Sequence, residues 1–157
     1  MSITKKYITA DELLLDSFKL GVDIFNSGFR PNFIVGVWRG GTPVGIAIQE
    51  ILAYLGNESD HIAIRTSSYI GINNQSKEVR VHGIDYLISN MNAEDSLLLV
   101  DDVFDSGRSI KAILDTLNEG QEKIYLMMFV WRCLGISPKE TSLILSQITI
   151  FMKQMTG

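Results

Sequence analysis

Leu97-Leu98-Leu99-Val100-Asp101-Asp102-Val103-Phe104-Asp105-Ser106-Gly107-Arg108-Ser109-Ile110-Lys111-Ala112 is the stretch that decides the fold class of this chain. Leu97 to Val100 reads as an apolar strand that ends in two adjacent carboxylates, Asp101 and Asp102. A short loop follows, Asp105-Ser106-Gly107-Arg108-Ser109. Ile110, Ile113, Leu114 and Leu117 then recur at helical spacing, which predicts a helix. Strand, acidic tip, small-residue loop and helix start together make a phosphate-site layout. Small residues let backbone N–H groups approach an anion, and the unpaired N–H groups and positive dipole end of the helix face the same point. Ser106 and Ser109 add hydroxyl donors. The two carboxylates repel a phosphate, so they suit sugar hydroxyls or a metal ion beside it. The bland alternative is a strand-loop-helix unit with a solvated acidic turn, but that unit does not require the whole ordered set.

A second stretch repeats the layout upstream. Phe33-Ile34-Val35-Gly36-Val37-Trp38 is an apolar strand, followed by Arg39-Gly40-Gly41-Thr42-Pro43. Pro43 suits the first turn of a helix, where no N–H is needed. Val44, Ala47, Ile48, Ile51, Leu52 and Leu55 form the stripe of that helix, and Gly56 is its stop. Two glycines after a strand permit close backbone approach to an anion, and Arg39 offers a charged fork. Taken alone, such a turn is only a tight turn; its position ahead of the acidic stretch gives it weight. A third stretch, Ile62 to Arg65, reads as a strand. It is followed by Thr66-Ser67-Ser68-Tyr69, a polar segment through Lys77, and a returning strand at Val79 to Val81. The plain reading is a mobile hairpin.

Composition sets bounds. With 157 residues the chain is read as one domain, 1–157, long enough for a real core. A net charge of −4 argues against a nucleic-acid surface. One cysteine excludes a disulfide framework. Met1-Ser2-Ile3-Thr4-Lys5-Lys6-Tyr7 carries no apolar signal segment, and no run reaches membrane-spanning length, so no membrane role and a cytoplasmic location are expected. Thr9 with Glu12 predicts a capping box that opens a helix with Leu14, Phe18, Val22 and Phe25 on one face. Helices alternating with apolar strands predict a parallel sheet covered on both faces, with ligands at the carboxyl ends of its strands.

The acidic stretch resembles the phosphoribosyl-pyrophosphate (PRPP) signature of type I phosphoribosyltransferases: apolar strand, two acidic residues, two mostly apolar residues, then Asp, Thr or Ser, Gly, any residue, and Thr or Ser. The resemblance implies an α/β fold with a parallel sheet flanked by helices and a flexible hairpin loop. It implies that Asp105, Ser106, Gly107, Arg108 and Ser109 hold the 5′-phosphate of PRPP. Asp101 and Asp102 would hold the ribose hydroxyls, directly or through Mg2+. Arg39, Gly40 and Gly41 would receive the pyrophosphate. Ser68 and Tyr69, at the start of the hairpin loop, are similar to the catalytic loop of the 6-oxopurine enzymes, which act on hypoxanthine, guanine or xanthine. By the same resemblance Asp105 lies near N7 of the purine and takes its proton, and it also suits a helix N-cap. The implied role is purine salvage with release of pyrophosphate, by a homo-oligomer, dimer or tetramer. The alternatives are a regulator that senses PRPP and a catalytically impaired remnant that still binds it.

The C-terminal part departs from the family. From about Asn118 the α/β pattern fails, whereas the family needs one more strand and a purine-binding lobe. That lobe carries a Lys for the purine oxygen, a stacking aromatic and a late acidic residue. Trp131 to Ser142 and Leu143 to Met155 supply none of these in a recognisable order. Codons shifted by one frame offer an explanation. For Ser146 to Gly157 they permit Pro-Asp-Tyr-Tyr-Ile-Tyr-Glu-Thr-Asp-Asp-Trp. For Met127 to Ser137 they permit Asp-Val-Arg-Val-Ala-Leu-Pro-Trp-Tyr-Lys-Pro. Both strings look like the last strand and purine lobe of bacterial and archaeal purine phosphoribosyltransferases. The expectation is a frame change between Leu117 and Met127; the alternative is a divergent but genuine tail. Under the shift Cys133 has no functional meaning, and the apolar run Leu143 to Met152 is an accidental, aggregation-prone segment.

Overall fold

The computed structural model describes residues 8–70, 77–102, 108–118 and 125–130. Helix α1, Ala10–Asn26, opens on the expected capping box. The Thr9 hydroxyl accepts from the Glu12 N–H, and the Glu12 carboxylate accepts from the Thr9 N–H at 2.8 Å. Its buried stripe is Ser17, Leu20, Gly21 and Ile24, one position away from the expected Leu14, Phe18, Val22 and Phe25 face. Small residues explain the offset. A β-carbon on Gly21 would fall inside Ile51, so the stripe with Ser17 and Gly21 brings α1 against α2, and Leu14 is left exposed.

Strand β1, Phe33–Trp38, leads through a short turn into α2, Gly41–Tyr54. Val44, Ala47, Ile48 and Leu52 are buried as the stripe requires, and Gly56 follows the helix at φ 92°, the left-handed conformation of a helix stop. Next come β2, Asp60–Ile70; β3, Lys77–His82; and a short α3, Asp85–Asn90. β4, Ser96–Asp101, α4, Arg108–Asn118, and β5, Tyr125–Val130, complete the described elements.

The five strands form one sheet in the order β3-β2-β1-β4-β5. All neighbours pair parallel except β3, which runs antiparallel to β2. Both faces are covered. Phe33, Val35, Val37, Ile64, Leu97 and Leu99 pack against Ile110, Ile113 and Leu117 of α4 and Leu87 of α3. Ile34, Leu98 and Val100 pack on the other face with Val44, Ile48 and Leu52 of α2 and Leu20 and Ile24 of α1. Burial on both faces is why β1 and β4 read as continuous apolar runs.

Two expectations are revised. β2 does not end at Arg65: it continues to Ile70, with Thr66 opposite Val81 and Ser68 opposite Val79. Thr66 to Tyr69 therefore begin the hairpin as strand rather than as loop, because β3 extends the ladder beyond the parallel part of the sheet and Thr, Tyr and Ile suit it. The α/β pattern also continues past Asn118, since β5 pairs parallel with β4 from Ser96↔Tyr125 to Asp101↔Val130. Residues 131–157, which carry most of the expected frame change, lie outside the described residues.

Candidate functional site

From β1 the sheet grows in two directions, to β2 on one side and to β4 on the other. A crevice opens at such a reversal, outside the carboxyl ends of the strands. β1 and β4 pair parallel, Phe33 with Leu97 through Gly36 with Val100, so the Arg39-Gly40-Gly41 turn and the Asp101-Asp102 tip emerge side by side.

Their contact is intimate. A β-carbon on Gly40 would lie 2.6 Å from Oδ1 of Asp102 and nearer still to its Cγ and Oδ2. One on Gly41 would strike the Val100 carbonyl and lie 3.0 Å from the Asp101 Cα. Gly36, further back in β1, lies so close under α2 that a β-carbon there would be 2.8 Å from the Thr42 Cα. The glycines are thus needed for packing of the two loops on each other, a role that stands beside the expected approach to an anion. The turn itself is closed by the Thr42 N–H donating to the Arg39 carbonyl at 3.2 Å, and the Trp38–Arg39 peptide bond is cis.

Asp101 and Asp102 are half-buried, and the Asp102 N–H donates to Oδ1 of Asp101 at 2.9 Å. Among the described residues no group of three or more His, Cys, Asp or Glu could hold a metal ion. Two carboxylates at one strand tip fit Mg2+ only in the form in which it arrives on phosphates, because that ion keeps its waters and takes one or two protein carboxylates.

The first residues of α4 complete the described site. Arg108 is exposed and Ser109 half-buried, and the Ser109 hydroxyl accepts a hydrogen bond from the Thr66 hydroxyl of β2 at 3.1 Å. Sequence reasoning missed Thr66. The signal was the alternation Ile62, Ile64, Thr66, which places Thr66 on the side of β2 where Ile64 meets the α4 core. Arg39 is exposed beside Trp38, which is 52% exposed at the strand end. Asp105, Ser106 and Gly107 lie outside the described residues. Ser68 and Tyr69 are placed in β2, opposite Val79 and Glu78.

A cavity of about 190 Å³ is lined by Thr42, Ile46, His61, Ile62 and Ala63. Thr42 Oγ1 and His61 Nε2 are buried there without a hydrogen-bond partner among the described residues. Burial lowers the His61 pKa, against a smaller opposing pull from the Asp60 charge.

No protein-family model matches the sequence, and no curated protein matches it. Solved structures do match. A purine phosphoribosyltransferase from Pyrococcus horikoshii superposes at TM-score 0.58 and 18% identity, over 85% of this chain and 95% of that one. A xanthine-guanine-hypoxanthine phosphoribosyltransferase from Helicobacter pylori gives TM-score 0.57 at 20% identity, over 78% and 73% of the two chains. The chain has the fold of the type I phosphoribosyltransferases. A hypothetical protein from Neisseria gonorrhoeae with bound ppGpp gives TM-score 0.65 at 14% identity, over 98% of this chain and 99% of that one. The resemblance read from residues 97–112 and the architecture of the sheet therefore agree. No helix among the described residues is long and apolar enough to cross a membrane.

Proposed function

We propose that this chain is a purine phosphoribosyltransferase of nucleotide salvage. It transfers the ribose 5-phosphate of PRPP to a 6-oxopurine base (hypoxanthine, guanine or xanthine) and releases pyrophosphate. The observation that carries the reading is the convergence of the Asp101-Asp102 tip, the Arg39-Gly40-Gly41 turn and the start of α4 at one reversal of the sheet.

In this reading Ser106, Gly107, Arg108 and Ser109, with the N-terminal end of α4, hold the 5′-phosphate. Asp101 and Asp102 hold the ribose hydroxyls and share the magnesium that enters with PRPP. Bound there, the metal supplies charge neutralisation for the departing pyrophosphate. Arg39 and the backbone of Gly40 and Gly41 take the pyrophosphate itself. A purine nitrogen forms its bond to C1 of the ribose as the C1–oxygen bond breaks and its electron pair leaves with pyrophosphate. Asp105 accepts the purine proton. Ser68 and Tyr69 cover the reacting centre from the hairpin. No covalent nucleophile is required, since positioning and electrostatic stabilisation carry the rate.

The whole chain, 1–157, is one domain in this reading, its part beyond about residue 118 is out of frame, and the protein works as a cytoplasmic homo-oligomer without nucleic acid. Turnover of PRPP with each of the three bases, followed by pyrophosphate release, tests it. PRPP binding without turnover would favour the second reading, a PRPP-binding regulator or an impaired remnant. Two facts support that second reading. Residues 131–157 lack a recognisable base-binding set, and the Neisseria gonorrhoeae protein of the same fold holds ppGpp, a nucleotide rather than a base. Failure to bind PRPP at all would refute both.

A further inference from the structure

We infer that Thr66 is a positioning residue for the 5′-phosphate, orienting the Ser109 hydroxyl across the gap between β2 and α4. The inference rests on the proposed phosphate role of Ser109 and adds to it a residue outside every motif of the signature.

The two hydroxyls come from segments 43 residues apart in sequence and meet at 3.1 Å in a half-buried position. A hydroxyl has one proton to give and two lone pairs to receive with. Either hydroxyl can donate in this pair, and a bound phosphate, which only accepts, selects the arrangement in which Thr66 gives its proton to the Ser109 oxygen and the Ser109 proton goes to the phosphate. An unrestrained serine hydroxyl samples three staggered positions, and a phosphate ligand must be held in one. Accepting from Thr66 fixes the Ser109 oxygen and turns its O–H away from β2. Thr66 is itself well anchored. It is paired with Val81 in the β2–β3 ladder, and Val81 packs against the core that also holds Ile110 and Ile113 of α4. Thr66, Val81 and the α4 stripe thus form one packed unit beneath the start of α4. Ser67, the next residue, turns to the opposite face and bonds Nε2 of His82 at 3.0 Å, so it does not compete for Ser109.

Titration calorimetry on the full chain with ribose 5-phosphate, and separately with inorganic pyrophosphate, tests the inference in Thr66→Val and Thr66→Ser. Valine keeps the branched shape and the strand preference but removes the donor, whereas serine keeps the donor. Losing one hydrogen bond that sets a ligand should weaken ribose 5-phosphate binding about five-fold in Thr66→Val. Thr66→Ser should stay within about two-fold of the parent, and pyrophosphate binding should be unchanged in both, because the Thr66 hydroxyl is bonded to Ser109 and the proposed pyrophosphate groups are Arg39, Gly40 and Gly41. Thr66→Ala provides the same test should the valine variant not fold. Parental affinity in the variant that lacks the donor overturns the inference. So does equal weakness in Thr66→Ser, or a parallel loss for pyrophosphate, either of which marks a structural role. If the parent chain binds pyrophosphate but not ribose 5-phosphate, the phosphate assignment of Ser109 fails, and the inference fails with it.

Discussion

Gly40 and Gly41 are neighbours, yet alanine at the two positions should have opposite consequences. At Gly41 the added β-carbon meets backbone, the Val100 carbonyl and the Asp101 Cα of β4. Backbone in the middle of a paired sheet cannot yield, so the start of α2 must move away from β4. Overpacking of this kind costs about 1–3 kcal/mol. For a chain of this size each kcal/mol lowers the melting temperature by roughly 2–4 °C, so Gly41→Ala should lose several degrees. At Gly40 the three nearest atoms to the added carbon all belong to the carboxylate of Asp102, the end of a half-buried side chain that can rotate away. The Gly40 backbone is right-handed, φ −69° and ψ −32°, which alanine adopts freely. Replacing glycine in an allowed conformation gains about 0.4–1 kcal/mol from the unfolded state, so Gly40→Ala should melt within a few degrees of the parent.

Binding should follow the other order of severity. Turning Asp102 out of the crevice removes a charged contact worth about 1.5–3 kcal/mol, roughly 10- to 150-fold in the dissociation constant of magnesium-PRPP. Calorimetric titration and thermal melts on Gly40→Ala, Asp102→Ala and the double variant check the argument together. Because Gly40→Ala acts through Asp102, the double variant should bind no worse than Asp102→Ala alone, a clear failure of additivity. Additive losses, or a Gly40→Ala variant as unstable as Gly41→Ala, would refute the reasoning that the carboxylate alone occupies the space above Gly40.

The other expectations are separate measurements. Asp101→Asn and Asp102→Asn should weaken magnesium-PRPP far more than ribose-free phosphate or sulfate if, as proposed, the carboxylates serve hydroxyls and metal; equal losses would mean that they only support the loop. Gly107→Val should abolish PRPP binding in a folded protein if, as proposed, the backbone there approaches phosphate, because a branched side chain would block that approach. His61 is half-buried against Gly45, and this burial holds its folded pKa below the unfolded one, so the unfolded chain binds the extra proton. Stability should therefore fall as pH drops below about 6.5, and chemical denaturation of His61→Gln should show a shallower fall over that range. Asn57→Ala should cost about 1–3 kcal/mol, because the buried Asn57 amide ties the Pro31 carbonyl, at 3.1 Å, to the Ser59 hydroxyl, at 2.8 Å. Restoring the other frame beyond about residue 118 should raise purine transfer strongly and leave PRPP affinity nearly unchanged; full transfer by the chain as written would make the tail a genuine divergence.

Much of the fold could be read from residues 33–56 and 97–117, because strands buried on both faces and helices with one apolar stripe leave strong periodic signals. β1 begins and ends where the apolar run does, and Val44, Ala47, Ile48 and Leu52 of α2 and Ile110, Ile113 and Leu117 of α4 are buried as spaced, while Ile51, Leu55 and Leu114 are half-buried. The α1 face was misplaced because spacing locates large apolar residues, whereas close helix contact at Ser17 and Gly21 is decided by small ones. β2 was cut short because its last residues, Thr66 to Tyr69, are polar and their partner strand lies outside the parallel core. The same bias hid Thr66, whose role depends on a contact with Ser109 that no local pattern encodes.

β5 is where sequence and backbone speak to different questions. A parallel ladder is made of N–H and C=O groups, and Tyr125-Leu126-Met127-Met128-Phe129-Val130 satisfies it with any apolar side chains and no proline. Its presence therefore restores the α/β pattern without showing that the residues after it were selected for a base site. The two halves of the proposed reaction separate at this point. Asp101, Asp102, Arg39, Gly40, Gly41 and the start of α4 all precede β5 in sequence, and β5 meets them through the backbone ladder that pairs Asp101 with Val130. By the family resemblance a purine would be recognised by groups beyond β5, where the residues present include Lys139 and Lys153 but no aromatic–acidic order like that of the shifted reading. On the proposed reading, PRPP binding rests on the first half and is expected whatever the other half has become. That is why binding and turnover, measured side by side, divide the enzyme from its impaired remnant.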